Sequence, residues 1–177
     1  RTTSNTLDFV ELYNYSKTQI IDLSKFIITD GAGSNDSDRI SNAGEGLLLY
    51  PGQFAIILDP DYFALSASGR VYDAFIPDTG RVVTIGTTAS TGGSVFGNGS
   101  FNNTSAETIH LIKAQSGIPR DTISRYTYST DDSSTISDEK INLNNDNSPS
   151  NWTNSIHFHG TPGAPPETDL SIKDHRM

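Results

Sequence analysis

The chain has 177 residues, a formal net charge of −9 and no cysteine. Its length suits one β-domain with a tail, and the lack of cysteine excludes disulfides, thiolate zinc sites and cysteine nucleophiles within it. The 12 basic residues are scattered along the sequence and no apolar run approaches the ~18 residues of a membrane-spanning helix, so we expect no nucleic-acid binding and no membrane insertion.

Short apolar runs separated by turn residues predict β-strands, and no helical period persists along the chain. In the first run, Val10 and Leu12 are two residues apart and are expected to share the core face of a strand. The run 53–58 is almost entirely apolar and is expected to be buried on both faces. The predicted strands cover 7–13, 20–29, 53–58, 71–76, 81–85, 108–114, 122–128 and 140–143. About eight short strands of this kind predict an all-β fold and favour a β-sandwich.

The connections between these runs are rich in Gly, Ser, Thr and Asn. The stretch 86–104 contains few apolar residues and predicts a long loop, whereas Trp152 and 156–158 are expected to bring the chain back to the core. Pro and Gly cluster after this point and indicate a boundary. We therefore expect a frayed N-terminus at 1–6, a β-sandwich at 7–160, a Pro/Gly linker at 161–168 and the start of a following domain at 169–177.

Four motifs occur in order along the chain. They are Asp8-Phe-Val-Glu-Leu-Tyr-Asn14 with Asp22-Leu-Ser-Lys-Phe26, then Leu49-Tyr-Pro-Gly-Gln-Phe-Ala-Ile-Ile-Leu-Asp-Pro-Asp-Tyr62, then Asn98-Gly99 with Glu107-Thr-Ile-His-Leu111, and last Asn151-Trp152 with Gly160-Thr-Pro-Gly-Ala-Pro165. Together they resemble the lamin tail domain in its bacterial, secreted or cell-surface form. Members of that family usually begin with a further apolar strand, which 1–6 do not supply, so we expect an unpaired sheet edge beside the first strand.

The resemblance implies an immunoglobulin-like β-sandwich that works as a non-catalytic structural or binding module of a larger extracellular or cell-surface protein. It implies contacts with a protein or surface partner and with adjacent domains, and it supplies no catalytic residue and no cofactor. The family signature falls on Phe9, Val10, Glu11, Leu12, Asn14, Leu23, Phe26, Pro51, Gly52, Trp152, Gly160, Thr161, Pro162 and Gly163. An accessory domain of an extracellular hydrolase or nuclease is an alternative with the same resemblance.

Three other kinds of site have some support in the sequence. Asp78-Thr79-Gly80 matches the active-site tripeptide of aspartic proteases, but it occurs once and also suits a turn. His157 and His159 alternate and could share a metal on one face of a strand, although exposed histidines explain them more simply. Loop carboxylates could hold calcium weakly, but no stretch fits an EF-hand loop. Those carboxylates are Asp36, Asp38, Asp59, Asp61, Asp131, Asp132, Asp138 and Glu139.

A carbohydrate-binding or adhesion module is the remaining alternative. Such a module presents aromatic rings in an exposed row, and Tyr62, Phe63 and Tyr72 form the best candidate row, with Tyr126 and Tyr128 as a weaker one. Burial of these rings would argue against this function, and exposure would favour it.

Overall fold

The computed structural model describes residues 8–29, 38–86, 96, 101, 106, 108–113, 121–127, 137–144 and 146–166. Within these ranges the chain forms strands and short 3-10 helices and no α-helix, so the described part of the protein is all-β, as the sequence predicts. The expected frayed segment at 1–6 and the expected following strand at 169–177 lie outside the described residues.

Eleven strands are present in the described part of the chain. They are β1 (Phe9–Tyr13), β2 (Ile21–Asp22), β3 (Phe26–Thr29), β4 (Asp38–Asn42), β5 (Leu48–Leu49), β6 (Phe54–Leu58), β7 (Arg81–Gly86), β8 (Thr108–Lys113), β9 (Asp121–Thr127), β10 (Asp138–Lys140) and β11 (Trp152–Asn154). The 3-10 helices are Leu23–Lys25, Pro60–Ala64, Val71–Ala74 and Pro149–Asn151.

Seven of these strands form one mixed sheet in the order β1-β6-β7-β4-β3-β8-β9. Only β6 and β7 run parallel, and every other neighbouring pair in this sheet is antiparallel. The predicted strands at 108–114 and 122–128 correspond to β8 and β9, which are antiparallel neighbours. Strands β2 and β5 form one two-stranded ribbon, and β10 and β11 form another.

The larger apolar cluster lies on one face of the seven-stranded sheet. It collects side chains from β1, β3, β4, β6, β7 and β8 and from the β2–β5 ribbon, so the sheet curls around it. Val10 and Leu12 pack against this cluster, which confirms their predicted orientation. Its fully buried members include Ile28, Ile57 and Val83, and each such side chain contributes ~1.5–3 kcal/mol of apolar transfer energy.

A second apolar cluster covers the opposite face of the same sheet. Ile56 and Leu58 of β6 pack there against Tyr62 and Tyr72, which come from two different 3-10 helices. Because Ala55 and Ile57 face the larger cluster, β6 is buried on both sides, as its continuous apolar sequence predicts. The strand therefore lies between the two apolar clusters.

The predicted strand at 71–76 is wrong, because Val71–Ala74 forms a 3-10 helix. The hydroxyl of Tyr62 accepts hydrogen bonds from the backbone N–H groups of Tyr72 (3.0 Å) and Asp73 (3.2 Å). It also donates to a carboxylate oxygen of Asp73 at 2.9 Å. These bonds satisfy the amides at the start of a helical turn. The turn places Tyr72 at 5.6 Å, centroid to centroid, from the ring of Tyr62.

Replacing Tyr62 with Phe should therefore destabilise the domain by ~1–3 kcal/mol, because the buried amide of Tyr72 loses its acceptor while the packing stays nearly unchanged. Chemical denaturation of the purified variant measures this difference. Tyr13→Phe is the matched control: the Tyr13 ring packs on Phe54 at 4.6 Å, and its hydroxyl has no hydrogen bond among the described residues. Equal stability of the two variants would contradict this account of the helical turn.

The expected return of 156–158 to the core is also wrong. Ile156 and Phe158 are 69% and 65% exposed, and Trp152 belongs to neither apolar cluster. The following residue, His159, has a φ of 72°, a left-handed conformation that is uncommon for residues other than glycine. Trp152 lies in the β10–β11 ribbon, where its ring is 5.5 Å from the ammonium group of Lys140.

Candidate functional site

The opening strand and the end of the described chain meet on the face of the sheet that carries the second apolar cluster. We name residues 155–166 the closing segment. A carboxylate oxygen of Glu11 in β1 accepts the backbone N–H of Gly163 at 2.5 Å. One carboxylate oxygen of Glu139 in β10 accepts both the N–H (2.8 Å) and the hydroxyl (2.9 Å) of Thr161. Two acidic side chains thus hold the closing segment in place.

Two glycines allow this close approach. Gly160 and Gly163 have φ values of 71° and 79°, which side-chain-bearing residues rarely adopt. A Cβ atom at Gly163 would lie 2.9 Å from Cδ of Pro77 and 3.0 Å from Cδ1 of Ile56. Pro162, Gly163 and Pro166 are buried, so the described part of the expected linker, 161–166, packs against the domain and belongs to its fold.

The environment of Glu11 is unusual for a carboxylate. Burial, together with the like charge of Glu139, raises the pKa of Glu11 from 4.5 to about 8, while the hydrogen bond from Gly163 acts in the opposite direction. The residue retains some exposed surface, but its carboxyl group lies beneath the closing segment. Glu11 is therefore largely protonated at neutral pH, which avoids placing two negative charges side by side under the segment.

Asn14 is the second signature residue with a defined structural role. Its side chain is 1% exposed, and its amide nitrogen donates to the carbonyls of Gln19 (2.8 Å) and Leu49 (3.0 Å). Its backbone carbonyl accepts the N–H of Gly52 at 2.9 Å, where Gly52 has a φ of 74°. Asn14 thus fixes the end of β1 against the Pro51-Gly52 turn and the β2–β5 ribbon.

The other signature residues divide between the two faces of the sheet. Val10, Leu12, Leu23 and Phe26 pack in or against the larger apolar cluster, and Phe9 packs against the second. The structure therefore brings the first and last sequence motifs together through Glu11 and Gly163. Trp152 is the exception, since it lies in the β10–β11 ribbon and outside both clusters.

The structural roles of three polar residues, Asp59, Asn151 and Glu139, are not predicted from the sequence. Asp59 is fully buried, accepts N–H groups from Asp61 and Phe96 at 2.9 and 3.0 Å, and has a pKa raised by burial. Asn151 donates from its amide to the carbonyls of Asn142 (3.1 Å) and Asp146 (2.8 Å). Glu139 was grouped with loop carboxylates. The partners Phe96 of Asp59 and Thr161 of Glu139 are 37 and 22 residues away, so the local sequence gives little sign of these two contacts.

The structure places the candidate catalytic residue Asp78 and the candidate metal ligands His157 and His159 in turns. Asp78 is exposed in a turn that is closed by the N–H of Gly80 donating to Pro77 O at 2.8 Å. His157 and His159 lie in a turn and not in a strand, so the predicted shared strand face is wrong. Among the described residues, no three His, Asp or Glu side chains are grouped closely enough to hold a metal ion. Asp36, Asp131 and Asp132 lie outside the described ranges.

The expected row of exposed tyrosines is wrong as well. Tyr62 and Tyr72 are 1% and 0% exposed, because their rings fill the second apolar cluster. Phe63 is the only residue of the predicted row that reaches the surface, at 38% exposure. The side chains of Tyr126 and Tyr128 lie outside the described part of the structure.

A surface cleft lies beside the closing segment and is lined by Phe63 and Asp78, among other residues. Its volume is about 190 Å³, and it shares Ile76 and Pro77 with the contacts around Gly163. The described lining residues are Glu45, Leu58, Phe63, Asp73, Ile76, Pro77, Asp78, Gly80 and Val82. We name this the acidic cleft, because it contains three carboxylates and, among these residues, no basic side chain.

The candidate site thus consists of the closing segment, which is hydrogen-bonded to Glu11 and Glu139, and the acidic cleft beside it. In the described part of the chain, no helix has the length and apolar character needed to cross a membrane. The resemblance to the lamin tail domain stays a prediction. Comparison of the chain with protein-family models, with curated proteins and with solved structures gives no match.

Proposed function

We propose that this chain is a non-catalytic spacing and docking domain, an immunoglobulin-like β-sandwich of the lamin tail type in a larger bacterial extracellular or cell-surface protein. Its partners are a protein or surface component and the adjacent domains of its own chain. The ordered sequence motifs and the all-β architecture with its short strands support this proposal.

The observation that carries the proposal is the hydrogen bond between Glu11 and Gly163, which joins residues 152 positions apart. A domain that spaces its neighbours must hold its first and last elements at a fixed separation. The bonds from Glu139 to Thr161 and the buried glycine contacts add to this fixation. In these contacts the buried polar groups serve to hold chain segments together.

The aspartic protease alternative has little support, since Asp78 lies exposed in its turn and the catalytic pair of such enzymes shares a proton between two adjacent carboxylates. The purified chain should therefore cleave a general protein substrate no faster than buffer does. Cleavage that disappears in Asp78→Asn, but persists in the matched variant Asp61→Asn, would establish an enzyme and overturn the non-catalytic assignment.

The spacing role predicts a narrow distance distribution between the two ends of the domain. The chain has no native cysteine, so spin labels can be placed on cysteines introduced at exposed Thr18 and Ile156. Pulsed electron paramagnetic resonance should give one narrow distance in the wild-type background. We expect Gly163→Ala to broaden it, because the new methyl group meets Pro77 and Ile56 in a backbone conformation that favours glycine.

A second label pair at Thr18 and Ala67 provides the control, since both residues are exposed and neither belongs to the closing segment. This distance should stay narrow in both backgrounds if the domain remains folded. A broad distribution for the first pair in the wild-type background would mean that the ends are not held together, and the spacing role would then be rejected.

A further inference from the structure

The acidic cleft has rigid walls. The turn that carries Asp78 is held by the side-chain amide of Gln53, which donates to Thr79 O at 3.2 Å, and by the bond from Gly80 to Pro77. On the other side, the ring of Phe63 packs edge-on against the buried ring of Tyr62 at 5.8 Å. These contacts connect both walls of the cleft to neighbouring parts of the fold.

The charges of the cleft are only partly compensated. Asp73 accepts from the Tyr62 hydroxyl and lies 3.4 Å from the guanidinium of Arg70. One oxygen of Glu45 accepts the N–H of Val82 at 3.0 Å. Each carboxylate has about four acceptor positions, so both retain free lone pairs. Asp78 has no hydrogen bond or ion pair among the described residues, and the chain as a whole is acidic.

The size and lining of the cleft indicate which kind of ligand can bind in it. Its volume of about 190 Å³ is below the ~300–1,000 Å³ of pockets for drug-sized molecules, so it suits a single side chain. A divalent cation needs about six oxygen ligands, whereas this lining is as much apolar as polar, with Phe63, Ile76 and Pro77 among its walls. An aromatic face beside carboxylates is a good match for arginine, whose planar guanidinium stacks on rings and bonds carboxylates.

We propose that the acidic cleft is the docking site for an arginine side chain carried by an exposed segment of a protein partner. The guanidinium stacks on Phe63 and pairs with Asp78, and its alkyl stem lies against Ile76 and Pro77. This inference rests on the proposed docking role of the domain and names the chemistry of its partner. The carboxylate of Asp73 supplies a further acceptor.

The test is a titration of the isotope-labelled full chain with the peptide Gly-Gly-Arg-Gly-Gly, followed by amide chemical shifts. The expected result is a saturable shift confined to the amides around Phe63, Asp73 and Gly80, with a dissociation constant in the millimolar range. The same peptide with citrulline in place of arginine keeps the shape and loses the charge, and it should bind at least threefold more weakly.

Two variants separate the contributions of charge and ring. Asp78→Asn and Phe63→Leu should each weaken binding by about three- to tenfold, since exposed pairs and single cation–π contacts are worth ~0.5–1.5 kcal/mol. Asp61→Asn removes the same charge outside the cleft and should leave the affinity within about twofold. Both residues of the cleft are at least partly exposed, and the spectrum of each variant shows directly whether it is folded.

Shifts spread over the whole acidic surface, no saturation, or equal binding of the citrulline peptide would overturn this inference. Displacement of the peptide by stoichiometric calcium chloride, with calcium producing the same local shifts, would also overturn it by assigning the cleft to a metal ion. If the peptide fails to bind while the spin-label distance stays narrow, the arginine docking site is rejected and the proposed spacing role is retained.

Discussion

Raising the pH from 5 to 8 should destabilise this domain, and Glu11 should account for most of the change. Its pKa is about 8 in the folded protein and near 4.5 when exposed. Below pH 4.5 the carboxyl group of Glu11 is neutral in both states, so its burial causes no loss of stability there. Between pH 4.5 and 8 only the unfolded chain releases the proton, so the free energy of unfolding falls as pH rises.

The expected loss is large compared with the total stability of a domain. One pKa unit corresponds to ~1.4 kcal/mol, so the shift of Glu11 gives a loss of about 2–5 kcal/mol at pH 8, against a typical total of 5–15 kcal/mol. Glu11→Gln is neutral at every pH, and its amide oxygen can still accept the N–H of Gly163. Urea denaturation at each pH should find the variant equal to the wild type near pH 4.5 and more stable by this amount near pH 8.

Other groups also titrate with shifted pKa values, so the difference between the two proteins is the quantity to measure. Burial lowers the pKa of His159 and raises that of Asp59, and both effects cancel in the comparison. Asp22→Asn is the control of opposite sign: its hydrogen bonds from Ser24 lower the pKa of Asp22, so its contribution is lost only in acid. A Glu11→Gln variant that follows the wild-type curve from pH 5 to 8 would contradict the buried, protonated state.

The strands that depend on local sequence pattern were predictable. β1 follows from the alternation around Val10 and Leu12, and β6 follows from its continuous apolar run. In both strands the spacing of the apolar residues shows which side chains contact the core, so a short stretch of sequence is enough to predict the strand. β4 (Asp38–Asn42), by contrast, contains one buried apolar side chain, Ile40, and no strand is predicted there from the local pattern.

The 3-10 helix at Val71–Ala74 shows where local pattern fails. Its sequence reads as a strand, and its conformation depends on the hydroxyl of Tyr62, ten residues away along the chain. Ile156 and Phe158 are exposed despite their apolar side chains, and the residues that follow them, Thr161 and Gly163, are held by Glu139 and Glu11. At Val71–Ala74 tertiary hydrogen bonds override the local preference.

The candidate site was predictable in part. The family resemblance placed Glu11, Asn14 and the Gly160-Thr161-Pro162-Gly163 run in one structural signature, and the first and last of these meet in the fold. Glu139 was missed because its role depends on Thr161, 22 residues away. The acidic cleft was missed because Glu45 and Asp78 come from two loops and Phe63 from a 3-10 helix, and only the folded chain brings them together.

Replacing Asn14 with Ala should cause the second large loss of stability, ~3–5 kcal/mol by chemical denaturation. The substitution removes the amide that donates to the carbonyls of Gln19 and Leu49 and the oxygen that accepts the N–H of Ser16. Because Asn14 is 1% exposed, water cannot easily replace these bonds, and each buried group left unpaired costs ~1–3 kcal/mol.

Asn14→Asp separates the contribution of the donating side-chain nitrogen from that of the accepting side-chain oxygen. It keeps an acceptor for Ser16, but it places a carboxylate against the carbonyls of Gln19 and Leu49. The substitution should therefore be at least as destabilising as Asn14→Ala at neutral pH and less destabilising in acid.

The matched control is Asn42→Ala, since exposed Asn42 also accepts two backbone N–H groups, from Gly44 and Gly46. Water can replace those bonds, so the loss should stay below ~1 kcal/mol. Similar losses at Asn14 and Asn42 would mean that the end of β1 is held by apolar packing alone, and the proposed anchoring of the Pro51-Gly52 turn by Asn14 would be wrong.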